Sequence, residues 1–343
     1  MLLNPARWFG MIKLSVLDQS PIRTGGAHRD AVAETLELAK AAERLGYHRY
    51  WLAEHHNSGG LACTAPEILI ARIASVTTKL RVGSGGVMLS HYSPLKVAET
   101  FRMLETLFPG RIDLGIGRAP GTDRRTAAAL RPGSDGWGGE QFPGQIADLI
   151  GFLANRLEPE HPFASVRTVP EGDSSPPLWL LGSSDQSGAL AAYFGCGFSF
   201  AHFINDQGGP AVMSAYREQF RPSAELNQAD GSIGVFVLCA DTEDEAKRLC
   251  ASRDLWRLRV DQGLMGPFPS VEAALDYPYS DEERARVALI QRRQVVGSPG
   301  QVKSQLLKLC EMYGVDELVV LTITYDFAAR VRSYELLAQV FGQ

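Results

Sequence analysis

Strand-like and helix-like segments alternate along the chain from residue 13 to its end, and this alternation constrains the fold most. Short apolar runs are each followed by a segment with helical spacing, and no linker interrupts the order. Eight strands are predicted, over residues 13–18, 50–53, 80–85, 111–117, 177–181, 197–201, 232–240 and 317–323. A single TIM-like (β/α)8 barrel satisfies this count, and a doubly wound open sheet is the alternative.

The chain's 343 residues can form one domain of this α/β class, so we expect a single barrel over 13–343 after an N-terminal extension, 1–12. Two polar excursions are expected as inserted loops after strands four and seven, at 119–140 and 263–281. The first is too long for a routine connection and predicts a lid over an active site. After the second, helical spacing continues over 282–294.

Composition and missing motifs exclude several classes of protein. The net charge of -5 is spread along the chain, which argues against nucleic acid as a partner. No apolar run reaches the roughly 20 residues of a membrane span, and the start lacks a signal-peptide pattern. Five scattered cysteines without a CxxC pair favour buried thiols in the cytoplasm. Dinucleotide-binding, P-loop, GxSxG and HExxH motifs are all missing.

Two histidines and a carboxylate stand together where the second predicted strand ends. Glu54, His55 and His56 are costly to bury unless each finds a partner. An exposed polar loop is one interpretation, and a metal site is another, although neighbouring strand residues point to opposite faces. We favour the interpretation in which one imidazole faces the site as an acid or base, and we predict no metal.

Glycines and an arginine follow the third and fourth strands. Ser84, Gly85 and Gly86 form a run almost without side chains, which lets a flat or bulky group approach the backbone, although a plain turn would look the same. Arg118 follows Gly117, and its planar guanidinium suits a phosphate or the electron-rich atoms of a ring. A structural salt bridge is the alternative for Arg118.

The turn after the fifth strand can bind an anion. Gly182 opens it, and Ser184 or Asp185 can cap the following helix. The first N–H groups of that helix and the hydroxyls of Ser183 and Ser187 are then available to an anion. An ordinary capping turn would look similar, and barrel phosphate sites more often follow strands seven and eight.

These segments together resemble the luciferase-like flavin monooxygenase family, over nearly the whole chain from Lys13. The similarity rests on GYHRYWLAEHHN at 46–57, LRVGSGGVMLSHYSPLKVAETFRMLETLFPGRIDLGIGRAPGTD at 80–123 and DELVVLT at 316–322. It implies a TIM-like barrel, usually a homodimer, that binds FMN at the barrel mouth.

The resemblance also implies roles for single residues. His55 corresponds to a histidine of flavin–oxygen chemistry, and Gly85-Gly86 to a non-proline cis peptide behind the isoalloxazine ring. Arg118 corresponds to an arginine of the flavin phosphate region. The phosphate loop is matched by Ser183, Ser184 and Ser187.

Two positions depart from luciferase. Gly117 stands where its α subunit carries a reactive cysteine, and no arginine near Gln141-Phe142 matches a second phosphate-binding arginine. We therefore expect an oxygenase that emits no light.

These residues lead to a hypothesis for the reaction. FMNH₂ from a separate flavin reductase reacts with O₂ at the barrel mouth and forms a C4a-hydroperoxide. This intermediate oxygenates a small hydrophobic substrate, as in the tailoring of aromatic polyketides. His55 manages the proton, Glu54 or Asn57 orients His55, and 119–140 closes the site. Aromatic residues of the excursions could bind substrate or pack in the core: Trp137, Phe142, Phe268, Tyr277 and Tyr279. An F420-dependent hydride-transfer enzyme and a non-catalytic flavin-binding protein are the alternatives.

Overall fold

Eight parallel strands close into a barrel in the computed structural model, which describes residues 12–119, 121–131 and 141–342. The nine strands are β1 Lys13–Asp18, β2 Arg49–Leu52, β3 Arg81–Met88, β4 Ile112–Gly117, β5 Leu178–Gly182, β6 Gly197–Ala201, β7 Gly231–Cys239, β8 Gln294–Gly297 and β9 Glu317–Leu321. Each of β1 to β7 pairs with the next, and β9 closes the ring between β7 and β1. The predicted TIM-like barrel is therefore confirmed, and the open sheet is excluded.

Helices follow the strands along the chain. They are α1 His28–Arg44, α2 Pro66–Val76, α3 Pro94–Leu107, α4 Arg124–Leu130, α5 Phe142–Leu153, α6 Asp185–Phe194, α7 Gly209–Gln219, α8 Glu243–Asp261, α9 Val271–Leu275, α10 Asp281–Gln291, α11 Pro299–Tyr313 and α12 Phe327–Phe341. The outer ring consists of α1, α2, α3, α5, α6, α7, α11 and α12, in which most neighbours pack on each other. The strands between them are buried on both faces, which explains their nearly continuous apolar sequences.

Both inserted segments contain helices that the sequence prediction left as loops. The first contains α4, whose first turn is capped by the Asp123 carboxylate. Residues 132–140, with Trp137, lie outside the described part of the chain, so the predicted lid stays a prediction. The second contains α9, which Ser270 caps. Capping side chains of this kind are short polar residues that a loop also uses, so the sequence signal was ambiguous.

The strand β8 corrects the predicted helix over 282–294. That helix, α10, ends at Gln291, and Gln294–Gly297 pairs with Phe236–Cys239 of β7. The first half of β7, up to Gly234, pairs with β6. Gly234 and Phe236 both pair with β9 on the opposite edge of β7, so β6 and β8 share the remaining edge. The strand β8 is too short for its alternating pattern to be distinguished from the helical pattern that precedes it.

The helix α8 lies against the carboxyl rim of the barrel and does not belong to the outer ring. It packs on α9, α10, β8 and β7. Its Trp256 stacks on Phe268, with ring centroids 4.2 Å apart, and donates its indole N–H to the Gly266 carbonyl. A Cβ at Gly60, in the loop after β2, would touch that indole. The insertion after β7 therefore reaches the loop that follows β2.

A charged cluster holds the amino ends of the strands together. Arg49 Nη1 lies 3.0 Å from Asp113 Oδ2, and its Nε lies 2.7 Å from Glu317 Oε1. Arg81 also pairs with Asp113, at 2.6 Å, and Ser15 donates to Glu317 at the same distance. The charges in this buried layer compensate one another, as burial requires.

Candidate active site

The predicted site residues lie in or directly after four neighbouring strands, toward the carboxyl rim. Leu52 of β2 is in register with Ser84 of β3, and Gly85 with Gly115 of β4. Gly117 of β4 is in register with Leu181 of β5. The loops after β2, β3, β4 and β5 therefore share one face, where barrel enzymes carry their chemistry.

Glu54 accepts three hydrogen bonds and joins the ends of β2 and β3. It is 1% exposed. Its Oε2 accepts the backbone N–H of Met88 at 2.9 Å, and its Oε1 accepts the Tyr92 hydroxyl at 2.6 Å. The His56 Nε2 lies 2.6 Å from the same Oε1 and donates to it, because a carboxylate only accepts. Burial, followed by the bond to Glu54, raises the pKa of Tyr92, which stays a neutral donor.

These contacts correct the expectation that Glu54 or Asn57 orients His55. The partner of Glu54 is His56, two residues along the chain. The Asn57 amide donates instead to Asp123 and Thr126, and so fastens the loop after β2 to the start of α4. Sequence reasoning missed Tyr92 altogether, since nothing in the turn before α3 indicates that its hydroxyl reaches a carboxylate 38 residues earlier.

His55 presents an unused ring nitrogen. Its backbone N–H donates to the Cys63 carbonyl at 2.9 Å, which fixes the position of the residue. Its Nδ1 is buried and has no hydrogen-bond partner among the described residues. Burial lowers the pKa of the ring to about 4, against a smaller opposing effect of the Ala53 backbone, so the imidazole is neutral at pH 7. A neutral imidazole with a free nitrogen can give or take a proton.

The peptide between Gly85 and Gly86 is cis, as the resemblance implied. The β3–β4 register shifts at this point. A Cβ on Gly85 would lie 2.7 Å from Leu17 Cδ1, and one on Gly86 would lie 2.8 Å from the Gly115 carbonyl oxygen. Only glycine fits at either position.

Ser84 uses its hydroxyl within the sheet. The hydroxyl donates to the Gly115 carbonyl at 2.8 Å and accepts the Gly115 N–H at 3.1 Å. Because this side chain is fully buried, any contact of Ser84 with a cofactor would use its backbone.

The turn after β5 has the features of an anion site. The Ser184 side chain caps α6, and its hydroxyl lies 3.1 Å from that of Ser187. Gly182 must be glycine, because a Cβ there would overlap Ser187. Asn205 donates to the Ser183 carbonyl at 3.1 Å, a contact that the sequence did not indicate.

Arg118 lies next to this turn. Its exposed guanidinium hydrogen-bonds the side chain of Gln186 in the first turn of α6. The salt bridge that was the alternative for Arg118 is not found among the described residues, and the hydrogen bond to Gln186 brings a cation beside a helix N-terminus. The two features together favour a bound anion.

Of two cavities, one lies beside the strand-end residues and the other lies at the opposite end of the barrel. One of about 610 Å³ opens between the start of α3 and α5 and is lined by His91 and Tyr92. The other, about 380 Å³, lies at the amino end of the barrel, over Arg49 and Asp113. The chemistry of the strand ends is absent from the second cavity, whose charged floor is internally paired.

Metal-ligating groups, membrane spans and cysteines can be described for residues 12–119, 121–131 and 141–342. No group of three or more metal-ligating side chains is found there. None of the helices described is both long and apolar enough to span a membrane. All five cysteines are buried and unpaired, as predicted. Phe142 packs in the core beside α3, while Phe268 lies under α8 at the rim.

Comparison with known proteins gives one consistent result. The sequence model of the luciferase-like monooxygenase family matches residues 11–317. A protein named luciferase-like monooxygenase from Escherichia coli (strain K12) is 40% identical over 330 residues, covering 96% of this chain and 97% of that protein. The N-acetyl-S-alkylcysteine monooxygenase of Bacillus subtilis (strain 168) is 36% identical over 336 residues, covering 96% and 98%.

Solved structures agree with the sequence relatives. The structure of apo-MsnO8 superimposes with a TM-score of 0.89 at 40% identity, covering 96% of this chain and 98% of that one. Two more distant structures share the fold, each with a TM-score of 0.70. They are the oxygenating constituent of 3,6-diketocamphane monooxygenase from Pseudomonas putida in complex with FMN, at 21% identity and coverages of 96% and 97%, and an F420-dependent secondary alcohol dehydrogenase, at 13% and coverages of 97% and 99%.

Proposed function

Because this chain belongs to the luciferase-like monooxygenase family, we propose that it oxygenates a small hydrophobic molecule with O₂ and with FMNH₂ supplied by a separate reductase. One observation carries the proposal. One rim of the barrel carries the glycine pair Gly85-Gly86, the buried His55 Nδ1 without a partner, and the turn after β5 that Ser184 caps, here called the anion turn.

The described residues fit FMN. Gly85 and Gly86 leave a surface without side chains, against which a flat ring can pack. Ser183, Ser184 and Ser187 at the start of α6, together with Arg118, would hold the phosphate. Relatives named monooxygenases support a flavin rather than F420, whereas the distant FMN complex and the F420 enzyme both match in fold alone.

When bound, reduced FMN supplies the electrons that activate O₂. The neutral His55 then holds or moves a proton through Nδ1, the nitrogen without a partner. Glu54 positions this region, because it ties Met88 at the end of β3 to the loop that carries His55. Trp256 and Phe268 exclude water from the rim on the side of α8.

The substrate is proposed to be largely apolar. Side chains of one apolar cluster extend from the barrel interior to the rim: Leu17, Trp51, Trp179, Phe236, Trp256 and Phe268. An aromatic polyketide in a tailoring reaction is one molecule of this kind. The relative that acts on N-acetyl-S-alkylcysteine supports a small organic substrate more generally.

We further propose a homodimer in the cytoplasm. Ile68 on α2 and Met103 and Leu107 on α3 are at least half exposed on two helices that pack side by side, which supports an interface there. The buried free thiols support a reducing compartment. Sedimentation of the wild type and of a variant carrying both Ile68→Glu and Met103→Glu tests the dimer. Equal masses for the two proteins would exclude this interface.

The oxygenase activity is tested by consumption of O₂. FMN and, separately, F420 are reduced and mixed anaerobically with the protein, and ¹⁸O₂ is then admitted in the presence of candidate substrates. Incorporation of one ¹⁸O into product with FMN, and its loss in His55→Ala with retained FMN binding, is expected. Turnover with F420 alone, or unchanged oxygenation by His55→Ala, would contradict the proposal.

A further inference from the structure

One arginine on the barrel-facing side of α8 has no hydrogen-bond partner for a buried nitrogen. Arg253 is 7% exposed, and its Nη1 is without a partner among the described residues. The nearest carboxylate oxygen, Asp254 Oδ1, lies 3.7 Å from Nη1, beyond hydrogen-bonding distance. Arg49 and Arg330 also have one buried nitrogen each without a partner, but other nitrogens of these two side chains lie 3.0 Å and 2.7 Å from buried aspartates.

The one carboxylate within 4.0 Å of Arg253 among the described residues makes its hydrogen bonds to other side chains. The Asp254 carboxylate accepts from Gln291 at 2.8 Å and from Gln294 at 2.6 Å, which holds it toward α10 and β8. Two further arginines stand nearby. Arg257 pairs with Asp261 at 2.8 Å, and Arg293 donates to the Ile204 carbonyl. Among the described residues, Arg253 forms no ion pair other than the long one with Asp254, so a second anion from a ligand would stabilise the buried guanidinium.

The position of Arg253 links it to the barrel mouth. Leu249 and Trp256, four residues before it and three after it, share its face of α8 and belong to the apolar cluster of the barrel interior. Its guanidinium carbon lies 4.3 Å from the ring centroid of Phe236. Phe236 is in register with Leu321, the last residue of β9, and belongs to the same apolar cluster as Leu249 and Trp256.

We propose that Arg253 binds an anionic group of the substrate, a carboxylate or a sulfonate, while the apolar part of the same molecule packs toward Phe236. This inference rests on the proposed function, because it takes the barrel mouth as the substrate site. The substrate class becomes an amphipathic organic acid. A guanidinium over an aromatic ring holds its planar fork in place for such a group.

The anion that Arg253 binds is distinct from the cofactor phosphate. The anion turn follows β5, whereas Phe236 lies on β7, and β6 stands between these strands. Loss of Arg253 should therefore change substrate affinity and leave FMN affinity unchanged.

Calorimetric titration of the protein with and without FMN tests this assignment. The probes are octanoate, octanesulfonate and the neutral 1-octanol. Wild type should bind at least one of the anions about tenfold or more tightly than the alcohol, as expected for a charge-assisted hydrogen bond. Arg253→Met should abolish that preference, and Arg253→Lys should retain part of it.

Arg257→Met is the matched control, because it removes the same charge one turn further along α8 from a side chain paired on the surface. It should keep the preference for the anions. The inference is overturned if wild type shows no preference for either anion, if Arg257→Met loses it equally, or if Arg253→Met weakens FMN binding instead. Failure of wild type to bind FMN would count against the proposed function, while the anion preference is still measured in the cofactor-free protein.

Discussion

Replacement of Glu54 tests how the ends of β2 and β3 are held together. In Glu54→Leu, the Met88 N–H, the Tyr92 hydroxyl and His56 all lose a buried acceptor. Each charge-assisted bond contributes about 1.5–3 kcal/mol, and the leucine recovers part of the sum because no charge is then buried. We expect a net loss of about 3–5 kcal/mol in the free energy of unfolding.

Glu54→Gln should cost less, about 1–2 kcal/mol. Its amide oxygen can still accept the Met88 N–H, while its NH₂ faces His56 and Tyr92. His56 can accept in its other tautomer, and Tyr92 can accept after its hydroxyl rotates. Urea unfolding at pH 7, with unchanged m-values, measures both variants. A loss below about 1 kcal/mol for Glu54→Leu, or equal losses for the two variants, would refute this account of the hydrogen bonds.

Three further predictions concern the rim. The pKa of His55, about 4 in the folded protein and 6.5 when unfolded, means that its contribution to stability is present above pH 6.5 and is lost as the pH falls toward 4. Between pH 7 and pH 4, the free energy of unfolding of the wild type should therefore fall by about 2 kcal/mol more than that of His55→Gln, a value reduced because the ring is only half-buried. Urea titrations measure this, and an equal pH dependence of the two proteins would contradict it. Gly182→Ala should weaken FMN binding, because its methyl group displaces Ser187, whereas the neighbouring exposed Gln186→Ala should weaken it less; fluorescence titration compares the two. Arg118→Met should lower the affinity for FMN about tenfold and leave that for riboflavin unchanged, and equal losses for both flavins would place Arg118 away from the phosphate.

The barrel was predictable because its signals are local and repeated. Strands buried on both faces give continuous apolar runs, and β1 and β6 were predicted at their observed bounds. The segments that escaped prediction depend on distant contacts. Gln294–Gly297 is a strand because β7 extends beyond β6 and leaves an edge to pair with.

The residues of the candidate site also divide into those that the sequence indicated and those that depend on distant contacts. The glycines inside β3 were found through the family resemblance, and the capping serine of α6 was found because a cap is set by nearby backbone. The partner of Glu54 and the environment of Arg253 could not. A hydrogen bond from Tyr92 or a cation beside Phe236 joins residues that only the folded barrel brings together.

A crystal structure of the FMN complex tests the central claim most directly. The account predicts the isoalloxazine ring against Gly85-Gly86 and within reach of His55 Nδ1, with the phosphate at the start of α6 between Ser184, Ser187 and Arg118. A flavin bound in the cavity at the amino end of the barrel, or a phosphate held away from α6, would contradict it.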